Sequence, residues 1–232
     1  MGMEILVPFG VVVLAALIQA SMQLNLGTLL LLYHASLGKH VKRKTRHLVD
    51  TYITGVAVLV ILMLSTLIFV LDRYFGGALY VEEVVIVITM MVAVAVLIWM
   101  FYYRSGRSTE LWLPRSVARF IDRRAKLTDS NVEAFSLGTL TSLAEMPFTL
   151  ILLIVTANSV LTLPALEQLI AVLLYAAITI VPLIVFRLAI KRGQNVVSIQ
   201  RWRIKHKNFL RFLTGIGFIV LGFFVFAFEV IA

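Results

Sequence analysis

Glu145 is the residue on which chemistry would turn, because it is the one acid set deep in a long apolar stretch, FSLGTLTSLAEMPFTLILLIV at residues 135–155. In hydrocarbon an ionised carboxyl costs a few kcal/mol even on lenient insertion scales, so an acid at that depth is expected to be protonated or paired and marks a candidate ion or solute site. No Lys or Arg shares its depth. Two residues on, Pro147 removes a helix hydrogen bond and can open the backbone, with Thr141, Ser142 and Thr149 nearby to satisfy the freed groups. The structural alternative is a Glu hydrogen-bonded to a polar neighbour on the first helix, with no substrate involved.

A second polar interruption, Gln19, Ser21, Met22, Gln23, Asn25, Gly27 and Thr28, divides the first apolar stretch. Residues three and four apart share a helix face, so the amides of Gln19 and Gln23, joined by either Asn25 or Met22, can point the same way. They read either as interhelical glue or as one wall of a cavity facing Glu145. Other residue types carry less. His34, His40 and His47 lie in or beside a Lys-rich connection and pair with no carboxylate at ligand spacing, so no metal site is expected. The methionines read as packing residues. The chain has no cysteine, which excludes disulfides and thiol electron relays. No nucleotide loop, zinc-protease motif or nucleophile elbow is present, and neither an enzyme nor a cofactor is expected.

The elements that must position these groups follow from composition. The 232 residues are 61% hydrophobic, with a mean hydropathy of +0.99, against roughly 45–50% in soluble domains. A helix needs about 20 apolar residues to cross a hydrocarbon core of roughly 30 Å. Six stretches qualify, at residues 5–32, 51–71, 84–103, 134–155, 166–186 and 209–228, giving an all-α polytopic membrane protein in one membrane domain. The first stretch follows Glu4 and is too long for a cleaved signal segment, so it is read as a retained span.

The formal net charge of +9 does not indicate nucleic acid, because 19 of the 21 Lys and Arg fall in three connections, at 34–49, 104–134 and 187–208. That bias puts the three connections on the cytoplasmic side and both termini outside. From Leu113 to Leu127 apolar residues recur at helical spacing while Arg115, Arg119, Arg123 and Arg124 fall elsewhere. This predicts an amphipathic helix, lying on the membrane surface or folded against the cytoplasmic ends of the spans. Ser130 and Glu133 form a capping-box pattern that would start the fourth span.

Each half of the chain holds three spans, residues 1–103 and 134–232, joined by the linker 104–133. An odd number of spans forces a duplicated half to insert inverted. Residues 14–36 laid over 137–159 without a gap match Leu14 with Leu137, Leu17 with Leu140, Leu29 with Leu152, Leu30 with Leu153 and Ser36 with Ser159.

This layout resembles the LysE-type exporter superfamily. The resemblance rests on a polar first-span centre, Gln19 to Thr28, followed by apolar Leu29 to Tyr33 and the basic His34 to His47. In the second half it rests on Gly138 followed by Ala144-Glu145-Met146-Pro147. The chain departs from the family in having no proline in its first-span centre and only Glu145 of the acids that metal-exporting members carry in both halves. The resemblance implies a secondary exporter of a small solute or cation in a bacterial or archaeal cytoplasmic membrane. Glu145 would bind the coupling proton or cation, Gln19, Gln23 and Asn25 would contact solute beside Pro147, and the two halves would rock about the site. The contrasting expectation is a non-transporting scaffold or accessory subunit, docking a partner or anionic lipid through Arg115, Arg119, Arg123 and Arg124. Expected partners are the bilayer and its anionic lipids, the solute or cation, and a second copy of the chain.

The topology is directly testable in a chain without cysteine. His40→Cys and Arg123→Cys should resist an impermeant thiol reagent in intact cells and react once the membrane is opened; labelling from outside would reverse the orientation.

Overall fold

The computed structural model describes residues 2–22, 24–37, 42–104, 115–192, 201 and 205–231. Within them the regular secondary structure is entirely helical: α1 Gly2–Ser21, α2 Leu24–Leu37, α3 Lys42–Phe75, α4 Val81–Arg104, α5 Arg115–Leu127, α6 Asn131–Leu161, α7 Ala165–Lys191 and α8 Lys207–Val225, which runs on into a π-helical turn, Phe226–Ile231. Among the described residues five helices are long and apolar enough to cross a membrane, and α1 with α2, bent by 44° at a short break, makes a sixth if the pair is one span.

The break falls at the polar interruption of the first apolar stretch, and it arises without proline or glycine. The Ser21 hydroxyl donates to the carbonyl oxygen of Ile18 at 2.6 Å, the acceptor that the Met22 N–H would use in a continuing α-helix. The Met22 N–H bonds instead to Gln19, one residue nearer, at 3.0 Å. Such back-bonding by a serine competes with the helix ladder and bends or ends it. Gln19 and Asn25 therefore belong to different helices and do not share one helix face.

A second difference concerns the basic connection at 34–49. His34 lies in α2, and α3 starts at Lys42, so His47 and its basic neighbours are helical rather than looped. Lys and Arg are good helix formers, and this end of α3 needs no hydrocarbon around it. His40 lies outside the described residues.

Two apolar clusters build the core. One joins α1, the later parts of α3 and α6, the early part of α7, α4 and α8, through residues such as Val12, Leu64, Met91, Leu152, Ala171 and Phe218. The other joins α2, the early parts of α3 and α6, the end of α7 and α5, through Leu29, Leu48, Ile121, Leu137 and Phe186. Between them lies a band of buried polar side chains: Gln19, Asn25, Thr28, Thr141, Ser142, Glu145, Thr149 and Thr179.

Lipid tails are as apolar as a protein core, so membrane helices associate through close packing and hydrogen bonds rather than by escape from water. The α3–α6 crossing shows this. A Cβ on Gly55 would collide with the carbonyl oxygen of Phe135, and a Cβ on Gly138 with that of Tyr52, so the two backbones meet with no side chain between them. In α8, a Cβ on Gly217 would stand 2.7 Å from Ile18, whereas one on Gly222 would make an ordinary 3.6 Å contact with Ile88. At the far end, Gly76 and Gly77 take positive φ in the turn after α3, and the Leu79 N–H donates to Asn158 of α6 at 2.6 Å.

The linker helix packs against α2 and α6, with Ile121 and Ala125 buried and Phe120 and Leu127 exposed. Arg119, Arg123 and Arg124 are exposed on it, and Arg124 stacks over Phe120 at 5.5 Å. Arg115 is its first residue, with its side chain outside the description. Ser130 caps α6 in a complete capping box with Glu133. Both α6 and α7 run unbroken through Pro147 and Pro182.

If the glycine seam sets the α3–α6 distance, Gly55→Ala and Gly138→Ala should each destabilise the protein by about 1–3 kcal/mol. Gly222→Ala should leave thermal unfolding in detergent nearly unchanged. Equal melting of all three variants would show that the seam carries no special load.

Candidate functional site

Glu145 sits near the middle of the 31-residue α6 and is 2% exposed. Its partner is the beginning of α2. The backbone N–H of Asn25 donates to Glu145 Oε1 at 3.1 Å, and the Asn25 amide nitrogen donates to Oε2 at 2.6 Å. A helix leaves its first N–H groups without partners and carries partial positive charge at that end. Interrupting the first helix thus creates donors, and the acid of α6 occupies them.

The same Asn25 is held from α3. Tyr52 is fully buried, and its hydroxyl donates to the Asn25 carbonyl oxygen at 2.9 Å, with Asn25 Oδ1 at 3.3 Å. It also lies 2.8 Å from the Thr141 hydroxyl of α6, either of which can be the donor. Ser142 donates more weakly to Asn25 Oδ1, at 3.4 Å. The site therefore joins α2, α3 and α6, and it depends on the glycine seam: Tyr52 lies on the α3 turn preceding Gly55, where the α6 backbone comes close enough for its ring to reach past Thr141.

The other expected residues are placed differently. Gln19 is buried, and its side-chain oxygen accepts from the Tyr175 hydroxyl of α7. Pro147 is exposed on the outer face of α6. Thr149 donates to the Glu145 carbonyl at 3.3 Å, its own i−4 acceptor and not one freed by the proline. Gln23 lies outside the described residues. Arg119, Arg123 and Arg124 are on α5, well apart in sequence and helix from this cluster. Among the described residues no three His, Cys, Asp or Glu side chains converge to hold a metal ion.

Tyr52 and Tyr175 were not read from the sequence as site residues. The available signal was a tyrosine inside an otherwise apolar span, whose hydroxyl must find a partner when buried.

Chemically, the cluster is a carboxyl group whose oxygens are engaged by donors of a helix end. A proton or small cation arriving at Glu145 competes with Asn25 for those oxygens, since a protonated carboxyl loses part of its acceptor capacity. Occupancy of Glu145 would thereby be coupled to the position of α2 against α6.

Tyr52→Phe should remove the α3 anchor of Asn25 and lower stability by about 0.6–1.7 kcal/mol, from the average to the largest value found for interhelical hydrogen bonds in membranes. Thermal unfolding in detergent reads this directly; an unchanged midpoint would show that Asn25 is held without Tyr52.

Comparison with known protein families, with curated proteins and with solved structures yields no match, so the chemistry of this cluster is read from its own geometry.

Proposed function

We propose that the chain is a secondary transporter of export type for a small solute or cation, with Glu145 as the group that takes up the coupling proton or cation. The observation that carries this reading is the seating of Glu145 on the N-terminus of α2 at the break in the first span. Transporters place their sites where a membrane helix is interrupted and its end groups are free to bind ions or anionic groups. Here α1 and α2 form one broken span, Asn25 is the amide that meets the acid, and both termini face outward with the basic connections inside. On this reading α5 lies at the inner interface, with its arginines facing anionic lipid.

The pairing of helices supports two inverted halves, with α1–α2, α3 and α4 corresponding to α6, α7 and α8. A two-fold relation exchanges the α3–α6 contact with α7–α1 and the α1–α8 contact with α6–α4, and all four pairs pack. It maps α1–α6, α3–α7 and α4–α8 onto themselves, and these pack as well. The register that lays Leu14 on Leu137 lays Tyr52 on Tyr175 with no gap. Both tyrosines are wholly buried, and they make corresponding bonds, one to Thr141 on α6 and the other to Gln19 on α1.

The test uses purified protein in vesicles with an interior pH dye, while amino acids and mono- and divalent cations are presented in turn. At least one should elicit proton movement that Glu145→Gln abolishes while the variant keeps its thermal stability; Glu145→Leu should lose both. Silence of the wild type throughout, or full pH-coupled flux in the Gln variant, would overturn the reading.

A further inference from the structure

At the ends of α2, α3 and α7 that lie beside α5 and away from the Gly76–Gly77 turn, the structure contains a cavity of about 260 Å³. This is near the small end of the roughly 300–1,000 Å³ range of ligand pockets. One wall is a stripe of α3, with Arg43, then Arg46 and His47, then Asp50 on three successive helical turns; the opposite wall is Arg187 and Lys191 of α7. Tyr33, Val49 and Ile190 supply apolar lining. Tyr33 is itself fixed by an edge-on contact with Phe186, with ring centroids 6.1 Å apart.

Asp50 and Arg187 join the walls. The guanidinium bonds to both carboxylate oxygens, through Nε and, at 2.8 Å, through its second nitrogen. The one carboxylate lining the cavity is thus engaged across both oxygens, while Arg43, Arg46 and Lys191 have no ion-pair partner among the described residues. Four permanent cations against one committed carboxylate leave a strong positive excess in a concave site. Such a site suits a compact group with several acceptor oxygens, and arginine forks fit phosphate in this way. The site also lies where α3 and α7 pass from charged to apolar sequence, and Ile184, one turn deeper on α7, is 37% exposed. A ligand with an apolar tail could lie along that face.

We propose that this cavity binds a phosphate group, carried by an anionic phospholipid of the adjoining leaflet or by a water-soluble phosphate compound. The bound group bridges α3 and α7 beside the Asp50–Arg187 pair. Nothing in this depends on Glu145 or on transport.

The full-length protein in detergent is titrated with phosphatidylglycerol, with zwitterionic phosphatidylcholine and with inorganic phosphate, and bound ligand is read by native mass spectrometry and thermal shift. Phosphatidylglycerol or phosphate should bind with one tight equivalent. The double variant Arg46→Gln/Lys191→Gln, which spares the Asp50–Arg187 pair, should weaken it by about tenfold or more. Arg123→Gln/Arg124→Gln on α5 should leave that equivalent intact. Bound phosphatidylglycerol that excess inorganic phosphate fails to displace identifies the lipid as the source; displacement identifies a soluble phosphate compound. The proposal is overturned if phosphatidylglycerol binds no better than phosphatidylcholine and phosphate does not bind, or if the folded double variant binds as the wild type does. Should the double variant not fold, the wild-type comparison decides together with Lys191→Gln alone.

Discussion

A helix that starts inside a membrane and a carboxyl group buried in one have the same difficulty, since neither finds water for its polar groups. In this protein each resolves the other. The break after Ser21 exposes the N–H groups of α2, and Glu145 accepts from that of Asn25 and from the Asn25 side-chain amide. The break would be costly without the acid, and the acid without the break. Most of the surrounding structure serves that meeting: Tyr52 holds Asn25 from behind, the Ser21 hydroxyl that ends α1 also bonds to Thr214 of α8 at 2.8 Å, and Gly217 lets α8 approach Ile18 closely.

Buried polar groups also specify arrangement. In a uniformly apolar bundle, rotation or sliding of one helix costs little, because most registers bury similar side chains. A band running through Thr141, Ser142, Glu145, Asn25 and Gln19 admits few registers in which its donors and acceptors pair. The two apolar clusters on either side supply contact area, and the band fixes how the helices sit against each other.

What was legible in the sequence follows the strength of local signals. The apolar stretches, the capping box at Ser130 and the amphipathic linker helix are written in runs or short motifs, and they stand in the structure close to where those signals place them. Glu145 was legible because a lone acid in an apolar run is conspicuous. The helix break was not, because it depends on one hydroxyl competing for one carbonyl, and serine inside a helix usually does nothing so consequential. The outward placement of Pro147 was likewise hidden, since the phase of α6 is set by Gly138 against Tyr52 rather than by the proline. Gly55 and Tyr52 carry no motif of their own; they matter because of where α6 passes, which is a property of the tertiary structure.

That passage bears on how the molecule can move. The seam between Gly55 and Gly138 unites a helix of the first three-span group with a helix of the second, backbone against backbone. A hinge drawn between the two sequence halves would have to pull this seam apart, exposing carbonyl groups to lipid. A displacement that preserves it must carry α3 and α6 together as one strut, so any unit that swings would draw members from both sequence halves. The boundary along which such a protein flexes need not follow the boundary along which its sequence divides.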